Sequence, residues 1–348
     1  TLQCTHYAYS WGKGEGFLMK CGFDIPTFTC HAVYMNYWKR AIPLFFVVAG
    51  CSSFQKSPVH VLEVGIDVRR DVAVIDPENG NDSGWEWMLE RISGADIVLL
   101  GELHDHAVGH AIQLALVEDV LDQFPKSAVA FEMLERDEQH RVDDYMDGVI
   151  DAIKLSSLTQ STNWGAVGGW AAWYQPIIDA VKDRGGVVVA ANAPRRYVKL
   201  ARTGGFDRID SLPKERRSLV DYPAELSGGR YRERFWEFAA HHEDGGEEEI
   251  DVTTIDPNDP LLPMYRSQQT WDATMAQSII NTKPSMERKV LLLVGQFHVE
   301  YDGGIVQELR KRMPRASVLV ISIQRDFPEE DWQGTPPIAD VMVVETLN

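Results

Sequence analysis

Five short apolar runs share one plan: ADIVLLGE (95–102), SAVAFEM (127–133), GVVVAANAPRR (186–196), RKVLLLVGQFH (288–298) and SVLVISIQ (317–324). Each reads as a buried strand that runs into a small or polar end. Segments with apolar residues at helical spacing lie between them, such as HAIQLALVEDVLDQF (110–124), stopped by Pro125, and WAAWYQPIIDAVKDRG (170–185). Pro194 suits the first turn of a further helix. Strands alternating with helices predict an α/β fold, a central mostly parallel sheet flanked by helices with right-handed crossovers. VAVID and DVMVVET are possible additional strands, and residues 203–285 read as a helical cap insertion. WEWMLERISG predicts a short helix ending at Gly94.

The sheet predicts where chemistry collects, because ligands of open α/β sheets bind beyond the strands' carboxyl ends. Glu102 and His104 follow the first run, Glu132 ends the second, Asn192 and Arg195 follow the third, and His298 follows the fourth. GELH (101–104) and GQFH (295–298) are the same G-x-x-H tetrad at two strand ends. Glu102, His104, Glu132, Arg195 and His298 are therefore the candidate catalytic set. Glu102, His104, Glu132 and His298 could hold a divalent metal with a position open for water. Alternatively, a carboxylate or histidine could activate water directly while Arg195 stabilises developing negative charge. Helix capping by the two glutamates is the blander alternative. His106 and His110 are four apart and share a helix face, with His106 suited to the helix start. His241-His242 sits beside acidic residues and reads as a solvated loop.

The formal net charge of −18 excludes nucleic acid as a partner, since neutralising phosphates needs a basic face. All four cysteines, Cys4, Cys21, Cys30 and Cys51, fall in the first 51 of 348 residues, so no thiolate cage or cysteine nucleophile is expected in the main domain. The stretch MNYWKRAIPLFFVVAGCSS (35–53) has a short basic region and an apolar region too short to span a bilayer, which needs about 20 residues. It matches a secretory signal peptide over 35–50. Val48-Ala49-Gly50-Cys51 resembles a bacterial lipobox, with Cys51 the lipidated residue. Residues 1–34 then read as a non-native or over-extended segment, 51–84 as lipidated cysteine and linker, and 85–348 as the α/β domain. The expected location is the cell envelope, lipid-anchored, with Ser52 after the cysteine favouring an outer membrane.

GELHDHAVGHAIQL, VAFEMLERDEQ, AANAPRRYVKLARTGG, RSQQTWDATMAQSI and LLLVGQFHVEYDGGI together resemble the ChaN-like family of haem-binding uptake proteins over roughly residues 95–310. That family lies in the wider group of Tiki and TraB proteins and resembles erythromycin esterases in its motifs. The resemblance implies a lipid-anchored haem-binding protein assisting haem or iron uptake, with haem as cofactor and partner. It also implies a homodimer on haem binding and outer-membrane haem transport machinery as a further partner. It favours a binding protein over an enzyme; the enzymatic alternative is a hydrolase, metal-dependent or not, acting on an ester or peptide. Haem iron can be held by histidine or tyrosine, which makes His104, His298, Tyr174, Tyr197 and Tyr265 the haem candidates, with Tyr231 and Tyr301 also conceivable.

Overall fold

The computed structural model describes residues 67–345, apart from 160, 162–163, 166–168, 241–255, 286 and 329–331. The signal-peptide segment, Cys51 and His241-His242 lie outside the described residues. Among the described residues, no helix is long and apolar enough to cross a membrane.

The apolar runs form the strands of one sheet: β1 (Val72–Asp76), β2 (Asn81–Asp82), β3 (Ile97–Glu102), β4 (Ala128–Glu135), β5 (Val187–Asn192), β6 (Val290–Gly295), β7 (Val318–Gln324) and β8 (Val341–Glu345). Their order is β2-β1-β8-β7-β3-β6-β4-β5. The six strands from β8 to β5 are mutually parallel, and β1 runs against them, pairing antiparallel with both β8 and β2. The expected mostly parallel sheet is borne out. Residues 67–84, read as linker with VAVID a possible strand, supply β1 and β2 and pair with β8 along Val72–Ile75.

The helices are α1 (Val68–Asp71), α2 (Gly84–Ser93), α3 (Ala107–Gln123), α4 (Gln139–Met146), α5 (Ala152–Leu158), α6 (Gln175–Asp183), α7 (Arg195–Gly204), α8 (Phe206–Asp210), α9 (Lys214–Arg217), α10 (Gly229–Ala240), α11 (Leu262–Thr282) and α12 (Gly304–Arg312). Strand alternation divides the core. Val98, Leu100, Val129, Phe131, Leu291 and Leu293 pack with α2, α3 and α6. Ile97, Leu99, Ala128, Ala130, Leu292 and Val294 pack with α11 and α12 on the other face. The strands are apolar on both sides because helices cover both. α11 falls within the expected insertion, yet Met275, Ala276 and Ile279 bury it against the sheet as the crossover from β5 to β6. α10 builds a separate apolar cluster of Tyr231, Phe235, Trp236 and Ala239 with Tyr265 of α11.

Candidate functional site: two histidine–carboxylate pairs at the strand ends

The side-chain alternation that sorts the core also aims the strand-end acids. Glu102 continues the Val98–Leu100 series and reaches toward α3, whereas Glu132 continues the Ala128–Ala130 series and reaches toward α11. Strand β6 lies between them, and its last residue, Gly295, pairs with Glu102. A β-carbon on Gly295 would sit 3.1 Å from His104 Nε2 and 3.5 Å from Glu132 Oε2. The absent side chain therefore lets groups from both faces meet over the end of β6. A register shift in β4 between Phe131 and Glu135 frees Glu132 from the ladder with β5.

On the α3 side, Glu102 is fully held. Its Oε1 accepts from Tyr174 Oη at 2.6 Å and from His104 Nδ1 at 2.8 Å, and its Oε2 accepts from Gln113 Nε2 at 2.5 Å. Burial alone would raise the Glu102 pKa, but the bond from His104 and the neighbouring His110 hold it below the usual carboxylate range. His104 is pushed up: burial opposes its charge, and Glu102 and Glu132 outweigh that. Tyr174 arrives from a π-helical turn, Trp170–Tyr174, which also stacks Trp173 on His110 at 4.9 Å. Such turns recur at functional sites.

On the α11 side, His298 stands between two carboxylates. Its Nδ1 lies 2.5 Å from Asp272 Oδ1 and its Nε2 3.5 Å from Glu132 Oε1. Burial would lower the His298 pKa, yet Glu132 and Asp272 lift it to about 10. Glu132 also accepts from the Gly295 amide at 2.6 Å. Against the burial that would raise it, His298 holds Glu132 at about 2. Asp272 in turn accepts from Tyr231 Oη at 2.5 Å, and burial pushes its pKa up.

The result is a continuous line, Tyr174–Glu102–His104, then Glu132, then His298–Asp272–Tyr231. His104 is its exposed member, with 38% of its side chain accessible. A pocket of about 40 Å³, lined by Glu132, Asn192, Trp164 and Arg195 among others, opens beside it. Such a volume suits water or a single reacting group rather than a whole organic ligand. Arg195 is at the rim: its side chain is 65% exposed, 3.7 Å from Glu135 and 5.4 Å above the Trp164 ring. Asn192 fixes the neighbouring backbone by donating to the Glu132 carbonyl at 2.9 Å.

Glu102, His104, Glu132 and His298 come together at the strand ends. Among the described residues no three His, Cys, Asp or Glu side chains are grouped to hold a metal ion. His104 Nδ1 is paired with Glu102, and both ring nitrogens of His298 face carboxylates, Asp272 and Glu132. Tyr174, Tyr197 and Tyr265 are buried; Tyr174 donates to Glu102, Tyr265 donates to the Ser227 carbonyl at 2.8 Å, and Tyr197 lies under the Arg196 guanidinium at 4.6 Å. Their hydroxyls and rings serve packing and the polar network. Tyr231 is equally committed to Asp272. His106 takes the N-cap position of α3, as expected, but makes no capping bond; its Nε2 meets Glu345 of β8 at 2.7 Å.

Sequence reasoning missed Asp272 and Gln113. Asp272 had a legible signal: with Arg266 it is one of only two charged residues in the 21-residue α11. Gln113 had none, being one polar residue in an amphipathic-looking helix.

Arg230, Arg234 and Phe238 of α10, Phe297 and Tyr301 after β6, and Ile338 before β8 line an open groove of about 600 Å³.

Residues 88–309 match the family model described as haem-binding uptake, Tiki superfamily, ChaN. The chain belongs to that family. The fold agrees. The solved structure of ChaN of Campylobacter jejuni, described as showing cofacial haem binding, is 20% identical and covers 81% of this chain and 100% of its own, with a TM-score of 0.60. An erythromycin esterase mutant in its open conformation is 13% identical over 78% of this chain and 80% of its own, at a TM-score of 0.40. A Bacillus cereus protein is 12% identical over 69% and 68%, at 0.37. No curated protein matches the chain. The resemblance read from the strand-end motifs is thus borne out at the level of family and fold.

Proposed function

We propose that this protein binds haem in the cell envelope and assists haem or iron uptake, anchored through a lipid on Cys51 and dimerising when haem binds. The match to the haem-binding uptake family over residues 88–309 carries this reading. The lipobox-like Val48–Cys51 supports the anchor. A porphyrin is far larger than the strand-end pocket, whereas a groove of about 600 Å³ lies in the usual range for ligand sites, about 300–1,000 Å³. Bound haem would supply an iron centre; the chain supplies aromatic cover and arginines for its carboxylates. Titrating haem into the purified chain, with the Soret band and sedimentation followed together, should give saturable binding and a doubling of mass. A flat titration sinks the reading. Membrane-fraction recovery of the chain should be lost in Cys51→Ser.

A second reading rests on the strand-end array itself, which packing alone does not require. We infer an acid–base hydrolytic centre that needs no metal. Glu102 holds His104 Nδ1, leaving Nε2 to exchange a proton with water beside Glu132, and the charged His298 offsets negative charge built up nearby. Activated esters should then be hydrolysed with EDTA present, and His104→Ala should lower kcat by about 10²–10⁴-fold. Equal rates in the variant and the parent chain would rule this centre out.

A further inference from the structure

Glu138 is a buried carboxyl group of which the fold uses only one oxygen. It closes the 3₁₀ turn Arg136–Glu138 that carries the chain from β4 into α4. The turn caps itself: the Glu138 amide donates to the Glu135 carboxylate, and the Glu135 amide donates to Glu138 Oε2 at 2.9 Å. Oε1 accepts no hydrogen bond among the described residues. Its nearest cation, Arg141 Nη1, stands 3.8 Å away, and that nitrogen donates instead to the Leu158 carbonyl. Only 9% of the Glu138 side chain is accessible, yet it lines the strand-end pocket of about 40 Å³ with Glu132, Thr159, Trp164 and Asn192. Buried carboxyl oxygens are nearly always hydrogen-bonded, so a bare one beside a pocket calls for a partner inside it.

The pocket holds two carboxyl groups under opposite conditions. Against the burial that would raise it, His298 and the Gly295 amide hold Glu132 at about 2. Burial pushes Glu138 up to about 7; Glu135 and Asp137 add to the rise, and the Glu135 amide and Arg141 offset only part of it. Arg195, on the far rim, is drawn to Glu135 at 3.7 Å. Two carboxyl groups whose surroundings separate them in this way divide the roles of acid and base. Because Oε2 accepts from an amide, the Glu138 proton belongs on Oε1. The pocket also adjoins His104. Trp164 packs edge-on against the His104 ring at 5.0 Å, and the Gly295 position that touches His104 Nε2 touches Glu132 as well.

We propose that Glu138 is the general acid of this centre and that its substrates are unactivated alkyl esters, whose alcohol needs a proton in order to leave. The inference rests on the hydrolytic reading and adds the second proton transfer and the substrate class. The water oxygen bonds to the ester carbonyl carbon while His104 Nε2 takes one of the water protons. The bond from that carbon to the alcohol oxygen then breaks. Its electron pair stays on the oxygen, which takes the Glu138 proton. The products are a carboxylic acid and an alcohol, and solvent removes the proton gained by His104 and returns the one lost by Glu138.

The test compares the acetate esters of p-nitrophenol, phenol, trifluoroethanol and ethanol on the purified chain. p-Nitrophenolate leaves without a proton, and ethoxide does not. Glu138→Gln keeps an acceptor for the Glu135 amide while removing the acid, and matching thermal midpoints show that it folds. In that variant the ratio of ethyl to p-nitrophenyl ester kcat should fall by about 10²-fold or more. In the parent chain the same ratio should fall as pH rises through about 7, and in the variant it should be flat. His104 serves both esters, so its own titration cancels in the ratio. Suppose His104→Ala abolishes hydrolysis, but the ratio is unaltered in Glu138→Gln or flat with pH in the parent chain. Glu138 is then overturned while the hydrolytic centre stands. A parent chain that hydrolyses only the p-nitrophenyl ester also overturns it. If the parent chain hydrolyses neither ester, or His104→Ala hydrolyses both as fast, the centre and its acid fall together.

Discussion

His298 is clamped between Glu132 and Asp272, and its charge is the hinge of the network. A folded pKa raised from 6.5 to about 10 adds stability that is complete below about pH 6.5 and lost as pH rises through about 10. Glu132 behaves oppositely: lowered from 4.5 to about 2, it adds stability above about pH 4.5 that disappears as pH falls through about 2. Thermal midpoints measured across pH should therefore fall on both sides of a plateau. In His298→Gln the loss between pH 6.5 and 10 should vanish, and the acid loss should begin at higher pH because Glu132 has lost its cation. An unchanged alkaline limb would show that His298 is not charged in the folded protein. The residue types at Glu102, His104, Glu132 and His298 were legible because each terminates an apolar run. Their partners were not, since Gln113 and Tyr174 come from elements whose approach no local pattern encodes.

At the scale of elements, α11 and α12 decide the geometry of His298. α12 begins at Gly304, where a β-carbon would lie 2.1 Å from Asp272 Oδ2 and 3.0 Å from Tyr231 Cε1. Asp272 can be buried behind His298 only because α12 starts without a side chain there. Gly304→Ala should destabilise the fold by about 1–3 kcal/mol, the usual range for overpacking, and shift the alkaline transition of His298 downward. Urea unfolding and the pH series read the two effects separately, and a silent substitution would mean that Asp272 has room to move. The strand boundaries followed closely from the apolar runs, because a strand buried on both faces must be apolar throughout. The bounds of the helical insertion were less informative. α11 looks like its neighbours in sequence, but Ile279 and Met275 place it on the sheet.

For the whole molecule, the sheet's antiparallel margin matters. β8 is apolar along Val341–Val344 and is covered on its open side by β1. Deleting residues 67–76 should bare that edge and drive self-association, because an exposed apolar edge strand is a template for pairing with other chains. Size-exclusion profiles against concentration check this; a monomeric deletion protein would show that β8 is protected in another way. The same architecture sets the six parallel strand ends side by side, so that side chains nearly 200 residues apart form one network.

By itself, the sequence determined the class of fold, the family, the sign of the surface charge and the residues at the strand ends, because periodicity, composition and short motifs are local properties. The lipid anchor proposed at Cys51 rests on the lipobox-like Val48–Cys51 alone. The tertiary structure alone decided that His104 and His298 face carboxylates, that Tyr174, Tyr197 and Tyr265 are buried, and that Arg230, Arg234 and Phe238 border an open groove. Those outcomes depend on which groups reach each other after the strands pair and the helices dock. The distances involved are a few ångströms between residues far apart in the chain, and no local pattern of residues carries them.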